Sequence, residues 1–183
     1  DEFVQLKKQY GDERRTKVVA SELNKLSDED LVPDEQVVVT LTSANYVKRS
    51  TLAEYKRQGR GGKGRRGMAT REEDVIEHVV NASTHDFLLF FTNKGRVFRL
   101  KTYEVPAASL NAKGVAIVNL LQLQPEETVS AVINVSKNTN DVGANLIMCT
   151  KRGVVKKTPF EQYRNVRTTG LIAINLDDGD ELK

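Results

Sequence analysis

From residue 37 onward the apolar positions fall in short runs rich in Val, Ile, Leu and Phe, and these runs recur in a fixed order. Val39-Thr40-Leu41-Thr42, Leu89-Phe90-Phe91-Thr92 and Ile147-Met148-Cys149-Thr150 each end on Thr. Such runs predict strands buried on both faces or lying in a core between stacked sheets. After each Thr the same polar pattern follows. Ser43-Ala44-Asn45-Tyr46-Val47-Lys48-Arg49 matches Asn93-Lys94-Gly95-Arg96-Val97-Phe98-Arg99, and both match Lys151-Arg152-Gly153-Val154-Val155-Lys156-Lys157. The third place in that pattern is Asn45, Gly95 or Gly153. Asn and Gly tolerate positive φ at low cost, so a tight hairpin turn is predicted there.

The later part of each unit repeats as well. Ile76 to Ser83 resembles Val129 to Ser136, and Lys113-Gly114-Val115-Ala116-Ile117-Val118-Asn119-Leu120 resembles Thr169-Gly170-Leu171-Ile172-Ala173-Ile174-Asn175-Leu176. The longer gap before the third unit is absorbed by an insertion such as Lys137-Asn138-Thr139-Asn140-Asp141. Units of roughly 50 residues with about four strands each are the pattern of propeller-like blades. The first unit departs from the others at one place. Lys63-Gly64 aligns with Lys113-Gly114, yet the apolar strand expected next is replaced by Arg65-Arg66-Gly67-Met68.

Ahead of the repeats, Phe3, Leu6 and Tyr10 share one face of a predicted helix over 1–10. Asp1 and Glu2 suit its N-terminal dipole, Lys7 and Lys8 its C-terminal end, and Gly11 stops it. Residues 11–36 are polar and acidic, with a short strand expected at Val18-Val19-Ala20. Ser27-Asp28-Glu29-Asp30 has the look of a capping box, but Pro33 allows one helical turn at most. The domain reading is therefore a helix end plus acidic linker at 1–36 and the repeats at 37–183, with blades at roughly 37–83, 84–136 and 137–183.

Charge changes this picture at one place. Between Lys48 and Arg71 nine cations face a single acid, Glu54, in a chain whose net charge is only +3. The centre of that stretch is Gln58-Gly59-Arg60-Gly61-Gly62-Lys63-Gly64-Arg65-Arg66-Gly67. A run so rich in glycine makes no helix and packs no core. Freed backbone N–H groups among clustered cations suit a polyanion. The plain alternative is a solvated surface loop. The single Cys149 lies in an apolar run and is expected in the core. His78 and His85 have no Cys or His neighbours in sequence, so no metal site is expected. No apolar run is long enough for a transmembrane helix, no signal peptide is seen, and a cytoplasmic location is expected. No Walker-type phosphate loop is present, because Gly-Gly-Lys-Gly lacks the required glycine spacing and the following Ser or Thr. Tyr55 and Tyr163 hold equivalent repeat positions, which argues for packing rather than nucleophilic chemistry.

Gln58-Gly59-Arg60-Gly61-Gly62-Lys63-Gly64 resembles the box Gln-Arg-Arg-Gly-Gly-Lys-Gly of the family formed by the C-terminal domain of the DNA gyrase A subunit, with Gly59 standing where the family has Arg. The resemblance extends through Val37 to Thr42, Asn81 to Asp86, Lys94 to Phe98 and Asp178 to Leu182, and Asp1 to Thr16 resembles the helix before that domain. It implies an all-β pinwheel: a six-bladed disc of Greek-key blades that exchange strands, of which about three are present here. It implies non-sequence-specific binding of double-stranded DNA, wrapped in a positive sense about a basic rim to support ATP-dependent negative supercoiling. ATP and Mg would be used on other segments, with no cofactor and no catalytic residue in this one. The implied partners are the rest of the gyrase A protein and the gyrase B protein, in an A2B2 assembly.

Phosphate contacts are expected from the box and from a rim track that repeats at equivalent blade positions. The track comprises Lys48, Arg49, Arg57, Arg65, Arg66, Arg96, Arg99, Lys113, Lys156, Lys157 and Arg167, with Arg164 as an extension. No base-reading element is evident, so little sequence preference is expected. Two alternatives stand beside this reading. One is the corresponding domain of topoisomerase IV, in which the box is degenerate. The other is a propeller-type scaffold that binds an acidic protein.

Overall fold

The computed structural model describes residues 2–12, 28–55, 74–137 and 144–183. The strand expected at Val18–Ala20 and the box with its neighbours Arg57, Arg65 and Arg66 lie outside the described residues. The chain divides into two compact units, 1–31 and 32–183. In the first, helix α1 spans Glu2–Tyr10, and the Gly11 N–H closes it on the Lys7 carbonyl at 2.9 Å. One turn of 3-10 helix follows at Asp28–Leu31.

The described residues of the second unit carry three hairpins. Strands β1 (Gln36–Thr42) and β2 (Tyr46–Thr51) form the first, followed by β3 (Ile76–Ser83). Strands β4 (Phe87–Thr92) and β5 (Arg96–Lys101) form the second, followed by β6 (Val115–Ala116) and β7 (Val129–Val135). Strands β8 (Asn145–Cys149) and β9 (Val155–Pro159) form the third, followed by β10 (Leu171–Ile172). The hairpins turn at Asn45, Gly95 and Gly153, with φ of 60°, 73° and 88°, as the residue choice predicts.

Sheet order reveals strand exchange. The first sheet runs β3-β1-β2-β6 and the second β10-β5-β4-β7, so each of the first two hairpins is completed on one side by a strand from the next repeat, while among the described residues β8 and β9 form a two-stranded sheet. The lent strands are shorter than the apolar runs predict. After Ala116 the chain turns into a 3-10 helix at Ile117–Asn119, and the Ile117 N–H meets the Asn45 carbonyl at 2.8 Å. In the next repeat the Ala173 and Ile174 N–H groups meet the Gly95 carbonyl at 2.8 and 3.1 Å. Two residues extend the neighbour's sheet, and the rest of the run caps its hairpin and drops Ile117, Ala173 and Ile174 into the core. A Cβ at Gly95 would lie 2.4 Å from the Ile174 carbonyl oxygen, so glycine is required there by approach as well as by φ.

Strand β4 is buried on both faces because it lies between two cores. Leu88 and Phe90 join Val39, Leu41, Val47, Phe98 and Ile117 in one cluster. Leu89 and Phe91 join Val97, Met148, Tyr163 and Ile174 in the other. Alternation along a strand delivers neighbouring residues to opposite faces. The third hairpin is different. Ile147 and Val155 are 67% and 63% exposed. Cys149, expected in the core, is exposed because it shares the open face of β8 with Ile147, while Met148 points inward. Of the equivalent tyrosines, Tyr163 packs edge-on against Phe91 with centroids 5.7 Å apart, whereas Tyr55 is exposed.

A buried carboxylate locks each hairpin. The Thr at or just after the end of the first strand of each hairpin accepts a hydrogen bond from the N–H four residues on: Thr42 from Tyr46, Thr92 from Arg96, Thr150 from Val154. Asp74 accepts from the Ala44 N–H at 3.0 Å, Glu127 from the Thr92 hydroxyl at 2.6 Å, and Asp180 from the Arg152 N–H at 3.0 Å. Burial pushes the Asp74 carboxyl up, but hydrogen bonds from Ala44, Thr42 and Ser43 and the Lys113 charge hold it below the usual carboxylate range. Asp180 is also held low, first by the Thr150 hydroxyl and then, against burial, by the N–H groups of Glu181 and Arg152.

Candidate nucleic-acid interface

The rim track splits into cations that face solvent and cations the fold consumes. Lys48 corrects the sequence expectation. It is fully buried, and its Nζ donates to the carbonyls of Ser109, Leu110 and Ala112 at 2.9, 2.6 and 3.0 Å. An ammonium with three donors fits a nest of three carbonyls, so Lys48 ties the first hairpin to the second repeat and is closed to any phosphate. Burial lowers its pKa, against the raising influence of Glu54.

Arg96 is also bound into the fold. Its Nη1 meets the buried Glu127 carboxylate at 2.8 Å and its Nη2 the Thr169 carbonyl at 2.7 Å, with the guanidinium 4.6 Å from the Phe98 ring centroid. It ties the segment leading into the lent strand β10 to the hairpin lock of the second repeat. Arg49 is half-buried and donates through Nε to the Val105 carbonyl at 2.7 Å. Arg99 lies over the Phe87 ring, 3.5 Å from its centroid, and donates to the Arg164 carbonyl. Burial lowers its pKa, yet a guanidinium keeps its charge throughout the working range.

The remaining track residues stand further out. Lys113 is half-exposed, its Nζ 3.5 Å from the Tyr46 ring centroid. Lys156 is exposed and donates to the Ala173 carbonyl at 2.6 Å. Lys157, Arg164 and Arg167 are exposed. The exposed cations thus gather on β9 and the segment after it, while those of β2 and β5 lie closer to the protein. Arg99 and Arg164 are brought together; the box residues Gln58, Gly59, Arg60, Gly61, Gly62, Lys63 and Gly64 lie outside the described residues. Among the described residues no group of His, Cys, Asp and Glu is placed to hold a metal ion, and no helix is long and apolar enough to cross a membrane.

Sequence reasoning missed Lys137, whose N–H is fixed by the Asp86 carboxylate at 3.1 Å beside Arg99. Nothing local marks it, since its neighbours arrive from elsewhere in the chain. The carboxylates that lock the hairpins were missed for the same reason: each lies about thirty residues after its Thr.

Comparison with known proteins matches three stretches, residues 36–83, 86–136 and 144–183, to the DNA gyrase C-terminal domain, beta-propeller. The chain belongs to the DNA gyrase C-terminal domain family. Among its relatives, the DNA gyrase A protein of Clostridium acetobutylicum is 49% identical over 182 residues, and that of Staphylococcus epidermidis 45%. The chain is covered completely in both alignments but spans only 22% and 20% of those proteins. Among solved structures, the C-terminal domain of DNA topoisomerase IV aligns with a TM-score of 0.68 and the DNA gyrase A C-terminal domain with 0.63, each at 30% identity. They cover 82% and 81% of this chain, which covers 45% and 46% of them. The three matched stretches correspond to the three similar units of the chain.

Proposed function

We propose that this segment binds double-stranded DNA without sequence preference and wraps it in a positive sense around a basic rim. It would do so as part of the DNA gyrase A protein. The observation that carries the reading is the nearly intact box, Gln58 to Gly64, in the first of three repeats that match the gyrase domain family. In the intact type II topoisomerase the wrap presents a nearby segment of the same DNA for passage. Negative supercoiling then draws on ATP and Mg held by other segments and on the gyrase B protein, in the cytoplasm. Residues 1–36 serve as helix end and linker, and 37–183 as half of a pinwheel with blades at 37–83, 84–136 and 137–183.

The physics supports the assignment. Bending 20–30 base pairs by 40–90° costs about 1–6 kcal/mol, which many salt-sensitive phosphate contacts must offset. The contacts fall to the box with Arg57, Arg65 and Arg66, and to Arg49, Arg99, Lys113, Lys156, Lys157 and Arg167. Lys48 and Arg96 drop out, because their donors are spent inside the fold. Similarity to a topoisomerase IV domain keeps that relative in view, and the retained box favours gyrase.

The test is bending of an end-labelled duplex by the full-length protein that carries this chain. Energy transfer between the DNA ends rises with the native protein. The rise is lost when Arg60, Lys63, Arg65 and Arg66 are all replaced by Ala. Binding of an acidic polypeptide in place of DNA at low salt would overturn the reading and favour the scaffold.

A further inference from the structure

A cleft of about 340 Å³ opens where the second repeat meets the third, lined by Phe87, Arg99, Lys137, Tyr163, Arg164 and Asn165 among others. Among the described residues, three that line it are cations and none is an acid. Resting on the DNA-binding reading above, we propose that this inter-blade cleft seats a backbone phosphate of the wrapped duplex, as a contact separate from the box.

The cleft is prebuilt for an anion. The Arg99 guanidinium is held flat on Phe87 and anchored to the Arg164 carbonyl, so little conformational freedom is lost on binding. A planar guanidinium fixed in this way presents its other N–H groups in a set direction, and phosphate oxygens accept from such a fork. Lys137 is positioned through its backbone by Asp86, which also accepts from the Ser83 N–H at 2.8 Å and the Asn134 amide at 3.2 Å. Arg164 and Asn165 are exposed at the mouth, where a duplex backbone can reach them.

The equivalent place between the first and second repeats is occupied by protein. There the Arg49 N–H meets the Pro106 carbonyl at 3.1 Å and the Ala108 N–H meets the Arg49 carbonyl at 2.9 Å. The shallower cleft beside them includes Glu54, which repels a phosphate. A phosphodiester seat is therefore expected at the second junction and not at the first.

The experiment uses the full-length protein with a short duplex of mixed sequence, and binding is measured across a salt series. Arg164→Ala removes an exposed cation, and Asn165→Asp places an acid at the mouth without removing any cation. Lys94→Ala makes the same charge change as Arg164→Ala at the exposed tip of the second hairpin, five residues from Arg99 along the chain. Losing one phosphate contact lowers the slope of log K against log salt by about 0.9. Arg164→Ala is expected to show that drop, Asn165→Asp to weaken binding, and Lys94→Ala to leave the slope unchanged. Equal slopes for native, Arg164→Ala and Asn165→Asp proteins would overturn the cleft while leaving DNA binding intact. Equal losses from Lys94→Ala and Arg164→Ala would also overturn it, because the effect would then be general charge. Failure of the native protein to bind would overturn both readings. Inorganic phosphate at matched ionic strength is expected not to displace the duplex. Displacement from the native protein and not from Arg164→Ala would reassign the cleft to a free anion and overturn the proposal.

Discussion

At the junction of the first and second repeats, Lys48 drives its ammonium into three carbonyls, and the backbone of 106–108 pairs alongside Arg49. At the junction of the second and third repeats the position of Lys48 is held by Phe98, which is buried beneath Gly170. Here Arg99 lies on Phe87 beside an open cleft lined by cations. One architecture thus yields a polar seal at one seam, and at the next an apolar seal flanked by a basic cleft. The repeats share hairpin geometry because Asn45, Gly95 and Gly153 must accept positive φ. They leave the chemistry of each seam free to diverge.

The sharpest break of that comparison is at the Lys48 position itself. Lys48→Ala leaves the carbonyls of Ser109, Leu110 and Ala112 without their shared donor, that of Leu110 being buried, and empties a fully buried side-chain position, so it is expected to cost about 3 kcal/mol or more. Lys156→Ala, at the same place in the third repeat, removes one bond from an exposed side chain and costs under about 1 kcal/mol. Urea midpoints of the two variants check the difference. Equal costs would mean that the buried ammonium contributes no more than a surface one.

Glycines at the two seams provide a second comparison. Gly114 and Gly170 have φ of 83° and 82°, so alanine is strained at both by about 1–3 kcal/mol. A Cβ at Gly114 would sit 2.5 Å from the Val47 carbonyl oxygen, whereas at Gly170 it would meet the Phe98 ring at 2.9 Å. Both must shift, but a ring edge yields more readily than backbone. Gly114→Ala is therefore expected to lower the thermal midpoint more than Gly170→Ala.

The hairpin locks predict a pH response. Asp74 and Asp180 titrate below the usual carboxylate range in the folded chain. A depressed folded-state pKa gives stability that is complete above the unfolded value, about 3.9, and lost as pH falls through the folded value. Denaturation midpoints should hold steady from neutral pH down to that region and then fall. Asp74→Asn should be less stable at neutral pH and show a shallower acid decline. A midpoint that rises on acidification would contradict the carboxylate locks.

The smallest effect is expected at the cleft mouth. Arg164→Ala removes an exposed side chain and should change stability by no more than about 0.5 kcal/mol. Its consequence is expected in DNA affinity, so a stability loss as large as that of Gly170→Ala would make Arg164 a structural residue.

Much of the hairpin framework was legible in the sequence, because positive φ restricts the residue at a turn and buried strands restrict composition. The three turns and the helix over Glu2–Tyr10 fall where the pattern puts them. Strand exchange was legible only through family resemblance, since the pairing of Tyr46 with Ala116 joins residues far apart in the chain. Lys48 read as a surface cation because lysine is almost never fully buried without dedicated partners, and its partners arrive from 109–112. Cys149 read as core because its apolar neighbours share a run but not a face. For the strand exchange and for Lys48 the determining contact is distant in sequence.

Chiral wrapping through the box would be read out by ligation of nicked circular DNA. The full-length protein is bound to the circle, the nick is sealed, and the topoisomers are resolved after protein removal. A positive shift in linking number is expected with the native protein, and none when Arg60, Lys63, Arg65 and Arg66 are all replaced by Ala. Tight binding by the native protein with no shift would contradict chiral wrapping.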